Sequence, residues 1–168
     1  MHVRRAVNED TEGFARVHVD SWRTTYKHII PHEYLMNLSY EQRTGLWKKN
    51  ISKDNNFVFV AENDNGEIIG FADCGKRENN SAGDLTSIYI LEEYQGMGIG
   101  GKLMKQLFQQ FKALHCTKVF VEVLDDNKTR FFYEYYGAKL FKKEKIKIAG
   151  AALSLLIYQW NSLEDFAI

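Results

Sequence analysis

The chain has 168 residues, 45% of them hydrophobic and 26% charged, and its 22 Lys+Arg match its 22 Asp+Glu for a net charge of zero. A chain of this length forms one domain whose core needs no disulfide staples. Zero net charge argues against gripping nucleic acid by bulk charge, and no run approaches the ~18 apolar residues of a membrane span.

Met1–Val7 alternates polar and apolar residues and shows no charged start followed by an apolar run. The cytoplasm is therefore the expected location, with Cys74 and Cys116 reduced. His2–Val7 suits a first strand. Asn8–Thr11 offers helix caps, and Phe14, Val17, His18, Ser21, Trp22 and Tyr26 follow at three- and four-residue spacing on one helix face. After Pro31, Tyr34, Leu35 and Leu38 suggest a short helical turn. Ser39-Tyr40-Glu41-Gln42 matches a capping box ahead of a helix carrying Leu46 and Trp47. Phe57–Glu62 and Glu67–Cys74 are β-rich runs joined by Asn63-Asp64-Asn65-Gly66, a strong hairpin signal because Asn and Gly tolerate positive φ. A polar loop, Lys76–Gly83, leads to a strand over Asp84–Leu91.

A glycine cluster comes next, then an amphipathic helix over Lys102–His115 with Leu103, Leu107, Phe108, Phe111 and Leu114 on its apolar stripe. Lys118–Leu124 reads as a strand and Asn127–Tyr136 as a short aromatic helix ended by Gly137. Ala138–Ile148 and Ala152–Trp160 form a closing hairpin around Gly150, and the apolar Ala151–Ile157 stretch offers a homodimer contact. Strand–helix–strand around the glycines predicts one parallel pair; the hairpins on either side predict antiparallel strands. The fold class is therefore α/β (α+β): a single domain, 1–168, with a mixed, mostly antiparallel sheet flanked by helices. None of His2, His18, His28, His32 and His115 stands at metal-ligand spacing, so no metal is expected.

Only one proline and 12 glycines serve the whole chain, and four of those glycines crowd into Gly96–Gly101. Glycines before an amphipathic helix expose backbone amides and a helix N-terminus to an anion, usually phosphate. Gly96, Gly98 and Gly101 satisfy G-x-G-x-x-G, with Glu122 about 20 residues on as the ribose-binding acid of a dinucleotide site. That pattern would make the chain a nicotinamide oxidoreductase. However, Glu92-Glu93-Tyr94-Gln95 separate the strand from the first glycine, and too little chain follows to complete a parallel sheet. The phosphate-loop pattern fails because Leu103 stands where the metal-binding hydroxyl belongs.

Gln95-x-x-Gly98-x-Gly100 resembles the Q/R-x-x-G-x-G/A pyrophosphate loop of the GCN5-related N-acetyltransferase family. Asp84–Ile90 looks like that family's fourth strand, and Val123–Asn127 through Phe132-Tyr133-Glu134 and Gly137 like its next strand and helix. The chain departs from the pattern in three places. Arg130 stands where Ala is common, Ala138 replaces Phe, and Leu91-Glu92-Glu93 lacks a proline. The resemblance implies an acetyl-CoA-dependent transfer to a primary amine. It assigns the pyrophosphate to Gln95, Gly96, Met97, Gly98, Ile99, Gly100, Gly101 and Lys102. It assigns the pantetheine arm to the backbone around Ile88, Tyr89 and Ile90 and to Asn127. By the same resemblance Tyr133 protonates the departing sulfur. Tyr133 is read here as lying off the Phe132/Tyr136 packing stripe, about 100° around the helix.

A primary amine with a pKa near ~10.4 is neutral about once in 2,500 at pH 7, so a base is needed. Asp84 and Glu122 are the candidates, with Tyr89 a third. Trp22 and Tyr26, four residues apart, are read as an acceptor wall or as core packing. The expected substrate is a small amine such as a polyamine, amino acid or amine toxin. The alternatives are a protein N-terminus or lysine and, more remotely, a non-catalytic acyl-CoA-binding module.

Overall fold

The computed structural model describes residues 1–167. Seven strands form one sheet: β1 (His2–Arg5), β2 (Phe57–Glu62), β3 (Ile68–Lys76), β4 (Ala82–Ile90), β5 (Lys118–Leu124), β6 (Lys139–Ile148) and β7 (Ala151–Trp160). Their order across the sheet is β1-β2-β3-β4-β5-β7-β6, and β4–β5 is the parallel pair among otherwise antiparallel neighbours. The helices are α1 (Thr11–Thr25), α2 (His32–Met36), α3 (Tyr40–Ile51), α4 (Ile99–Ala113) and α5 (Thr129–Tyr135). The predicted mixed sheet with one parallel pair is the observed architecture.

Helices α1 and α3 cover one face of the sheet. Phe14 of α1 and Trp47 of α3 meet edge-on at 5.0 Å, and both pack on Phe71 of β3. Helix α4 covers the other face, where its fully buried Leu103, Met104, Leu107 and Phe111 supply most of the apolar contact. A second apolar cluster joins Val19, Tyr26, Ile30, Leu35 and Leu38 to Leu124, with Ile146, Leu153 and Leu155 of the closing hairpin packed against it.

Several boundaries differ from the sequence expectation, each for a local reason. Strand β1 stops at Arg5 because the Val7 amide turns to the Asp10 carboxylate at 2.8 Å. Strand β4 begins at Ala82, two residues early, where Gly83 leaves room for the Phe111 ring. Helix α4 begins at Ile99, so Gly100 and Gly101 are helical residues and not part of an open loop. The apolar Ala151–Ile157 stretch, expected as a dimer contact, also has partners within the chain. Strand β7 is paired on both edges, and Leu153 and Leu155 pack into the second cluster.

Candidate active site

The sheet opens where β4 and β5 part. Their parallel pairing runs from Ala82↔Lys118 to Leu85↔Val121 and goes no further. On the other side of β4, the register with β3 slips between Asp73↔Ser87 and Cys74↔Leu85. Thr86 is therefore the extra residue of a bulge, and a bulge bends and twists its strand. Beyond it, Ser87–Ile90 stays paired to β3 but has no β5 partner. Its free backbone edge can accept an extended ligand as an added strand.

A cleft of about 420 Å³ lies at this edge, lined among others by Ile88, Tyr89, Ile90, Gln95, Gly96 and Gly98. Gly96 (φ 77) and Gly98 (φ 81) are both left-handed, and a Cβ on either would meet nothing within 4 Å. They make the turn that exposes the amides at the start of α4, whose first turn carries no acidic side chain to compete for them. Gly100 and Gly101 also line the cleft, and their lack of a side chain serves packing. A Cβ on Gly100 would lie 2.9 Å from Phe132, and one on Gly101 2.5 Å from the Tyr136 hydroxyl. Gln95 anchors the loop by donating through Nε2 to the Ile90 carbonyl at 3.0 Å. Met97 is exposed and Ile99 is buried in the core. Lys102 turns away from the cleft, its Nζ reaching the Met1 carbonyl at 3.4 Å.

The other end of the cleft meets a group of tyrosines. The Tyr26 and Tyr89 hydroxyls are 3.1 Å apart. Asn127 lies near Tyr26, and its Oδ1 accepts the Thr129 amide at 2.9 Å at the start of α5. Trp22 stands edge-on to Tyr26 at 4.7 Å, with its buried Nε1 unpartnered. Thus Trp22, Tyr26, Tyr89 and Asn127 converge as one constellation. Tyr133 is near enough to Tyr26 and Tyr89 for their charges to influence one another. Burial is the main force raising the pKa of all three tyrosines, so they are neutral phenols at pH 7.

The helix-face expectation for Tyr133 is corrected. Tyr133 is the one buried residue of α5, while Phe132 and Tyr136 are half-buried against the α4 glycines. The helix turns its Tyr133 side to the sheet because small glycines on α4 make a second seat for aromatic rings. None of the hydrogen bonds among the described residues engages the Tyr133 hydroxyl.

Asp84 and Glu122 sit away from this cleft. They share a second cleft with Arg77, Thr86 and Phe120. Arg77 grips Asp84 through Nε and Nη2 at 2.9–3.2 Å and lies over the Phe120 ring at 4.5 Å. Glu122 is exposed between the buried Val121 and Val123, on the face that alternation predicts.

A profile of the Acetyltransferase (GNAT) family matches residues 15–138. The chain belongs to that family. It is 36% identical over 164 residues to "Uncharacterized N-acetyltransferase YuaI" of Bacillus subtilis (strain 168), covering 96% of this chain and 93% of the relative. A shorter segment is 30% identical over 96 residues to the spermine/spermidine N(1)-acetyltransferase of the same organism, covering 49% of this chain and 63% of the relative. The PaiA N-acetyltransferase of Thermoplasma acidophilum, solved with coenzyme A, superposes with a TM-score of 0.78 at 21% identity. That match covers 95% of this chain and 98% of the other. The dinucleotide reading of the glycines gives way to an N-acetyltransferase fold and activity.

In this GNAT enzyme two further polar side chains lie on the α1 face of the sheet, half-buried His18 and buried Asp73. His18 of α1 stacks on Tyr89 at 5.7 Å with 11° between the rings. Its Nδ1 accepts the Trp47 Nε1–H at 3.1 Å, which fixes the neutral ring with its proton on Nε2. Burial lowers its pKa to about 4. Asp73 of β3 is only 4% exposed, its Oδ1 has no hydrogen-bond partner, and burial raises its pKa to about 7. The available signal was a single carboxylate inside the apolar run Ile68–Cys74. His18 stands four residues before Trp22 on the helix face read as an aromatic wall or core packing.

Proposed function

We propose that the protein transfers the acetyl group of acetyl-CoA to the primary amine of a small molecule, in the cytoplasm. The observation that carries this reading is the unpaired β4 edge, Ser87–Ile90, running from the exposed α4 amides to the tyrosine group. Acetyl-CoA fits these residues. The open left-handed Gly96 and Gly98 leave room for a pyrophosphate, the free β4 backbone for the pantetheine arm, and the Asn127 side chain for an amide contact. Bound there, it supplies the activated acyl group.

The chain's own groups then have distinct tasks. The α4 N-terminus holds the anion, and the β4 backbone fixes the arm in register. Tyr133, kept protonated by burial, donates its hydroxyl proton to the departing sulfur. Trp22 and Tyr26 form the wall against which the amine is positioned, and Tyr26 holds Tyr89 by their shared hydrogen bond. Asp84 and Glu122 flank the neighbouring cleft, where Asp84 is already paired with Arg77 and Glu122 suits the cationic part of an acceptor better than its reacting nitrogen. The aromatic acceptor side, Trp22 against Tyr26, favours a small molecule over an extended polypeptide.

The test is release of free thiol from acetyl-CoA across a panel of polyamines, amino acids and other small amines, with N-terminal and lysine peptides alongside. Turnover with a small amine and none with the peptides supports the proposal. Turnover restricted to the peptides overturns its substrate class.

A further inference from the structure

We infer that Asp73, acting through the Ser87 hydroxyl, accepts the proton that the substrate ammonium must lose; this rests on the acetyltransferase reading above. Asp73 and Ser87 face each other across the β3–β4 pair. Two residue pairs along, Phe71 pairs with Tyr89, about 7 Å away at the spacing of alternate strand residues. Paired and alternate residues share a face, so Asp73 and Ser87 stand on the same face as Tyr89, His18 and the Tyr26 hydroxyl. Ser87 also begins the free β4 edge, directly after the bulge at Thr86. It is half-buried, whereas Asp73 behind it is closed off.

A buried carboxylate with one oxygen, Oδ1, left unpartnered is costly, and native structures rarely keep one without use. Among the described residues no charged group is resolved as acting on it, and Arg43 of α3, whose charge acts on His18, is the cation on this side. Strand β2 sets Val58 opposite it and β4 sets Ser87, while Trp47 of α3 and the neutral His18 of α1 pack on Phe71, two residues along β3. Cys74, its neighbour on β3, is a thiol held protonated by burial. Ser87 is the one polar side chain acting on the carboxyl group, and burial places its pKa at about 7. A group that titrates there is matched to proton transfer at neutral pH.

The step balances without another reactant. One ammonium N–H proton passes to Ser87 Oγ while the Ser87 hydroxyl proton passes to an Asp73 carboxylate oxygen. R–NH3⁺ and –COO⁻ become R–NH2 and –COOH, and the acid returns its proton to water after the cycle. Asp73 is a positioning residue, since it reaches the amine only through Ser87.

The experiment measures kcat/KM against pH for wild type, Asp73→Asn and Ser87→Ala with the best amine of the panel, and acetyl-CoA affinity by calorimetry. Asp73→Asn is expected to lose at least about 100-fold at pH 7, the low end of general-base effects, with acetyl-CoA affinity unchanged. The deficit should shrink as pH approaches the amine's own pKa, where the substrate arrives deprotonated. Ser87→Ala should show the same pH-dependent recovery, and it carries the test if Asp73→Asn does not fold. Variants with wild-type rates, or with a deficit that stays constant across pH, would overturn the role of Asp73. A wild-type enzyme that binds acetyl-CoA yet acetylates no amine would instead overturn the acetyltransferase reading, and this inference with it.

Discussion

Gly98 and Gly100 are two residues apart, yet they should fail in different ways. Gly98 sits at φ 81 with open space where a Cβ would go. Gly98→Leu therefore costs backbone strain of about 1–2 kcal/mol and no steric clash within the protein. At Gly100 a Cβ would stand 2.9 Å from Phe132. Gly100→Ala therefore costs about 1–3 kcal/mol of overpacking, partly offset by about 1 kcal/mol of helix propensity. In a domain of this size about 1 kcal/mol moves Tm by about 2–4 °C, so both variants should melt only a few degrees early. The ligand response should separate them. Coenzyme A at about 100 times Kd stabilises the wild type by about 2.7 kcal/mol, or about 5–11 °C. Thermal unfolding with and without coenzyme A reads that shift directly. Gly98→Leu should lose it, because the side chain fills the space next to the α4 amides, and Gly100→Ala should keep most of it. A full ligand shift in Gly98→Leu would refute the assignment of this loop to the pyrophosphate.

Tyr133→Phe should lower turnover by about 10²–10⁴ while Tm and the coenzyme A shift hold, since its hydroxyl supports no hydrogen bond of the fold. Asp73, with a pKa raised from 3.8 to about 7, favours the folded state fully below about pH 4 and loses that contribution as pH rises through 7. At about 1.4 kcal/mol per pH unit this amounts to about 4 kcal/mol, so Asp73→Asn should unfold at higher denaturant than wild type at pH 8 and lose that lead by pH 4. His18 works in the opposite sense. Its pKa is lowered from 6.5 to about 4, so its contribution is present above pH 6.5 and is lost on acidification toward pH 4, about 3 kcal/mol in all. His18→Gln should flatten that acid limb in equilibrium unfolding, and an unchanged limb would count against the buried neutral ring.

The element order and the single parallel pair were legible because alternation, helical spacing and the Asn65-Gly66 turn act locally. The pyrophosphate loop was legible as a pattern, but the pattern merged two kinds of glycine. Gly96 and Gly98 bend the chain, whereas Gly100 and Gly101 make way for Phe132 and Tyr136 some 30 residues on, a tertiary fact. The orientation of Tyr133 failed for the same reason: helical angles say which residues share a side, not which side faces the sheet. The bulge at Thr86 is invisible in sequence, since it exists only in the register between strands. Asp73 was visible as a residue and missed as a site, because its burial and its opposition to Ser87 depend on β2, β4 and α3 arriving around it.

The most direct measurement is the product itself. Acetyl-CoA and the amine panel are incubated with wild type and Tyr133→Phe, and N-acetylated amine is quantified by mass spectrometry against free thiol. The account predicts one N-acetyl product per thiol released by wild type and a rate at least about 100-fold lower for Tyr133→Phe. Tight acetyl-CoA binding with no acetylated amine from any member of the panel would contradict it.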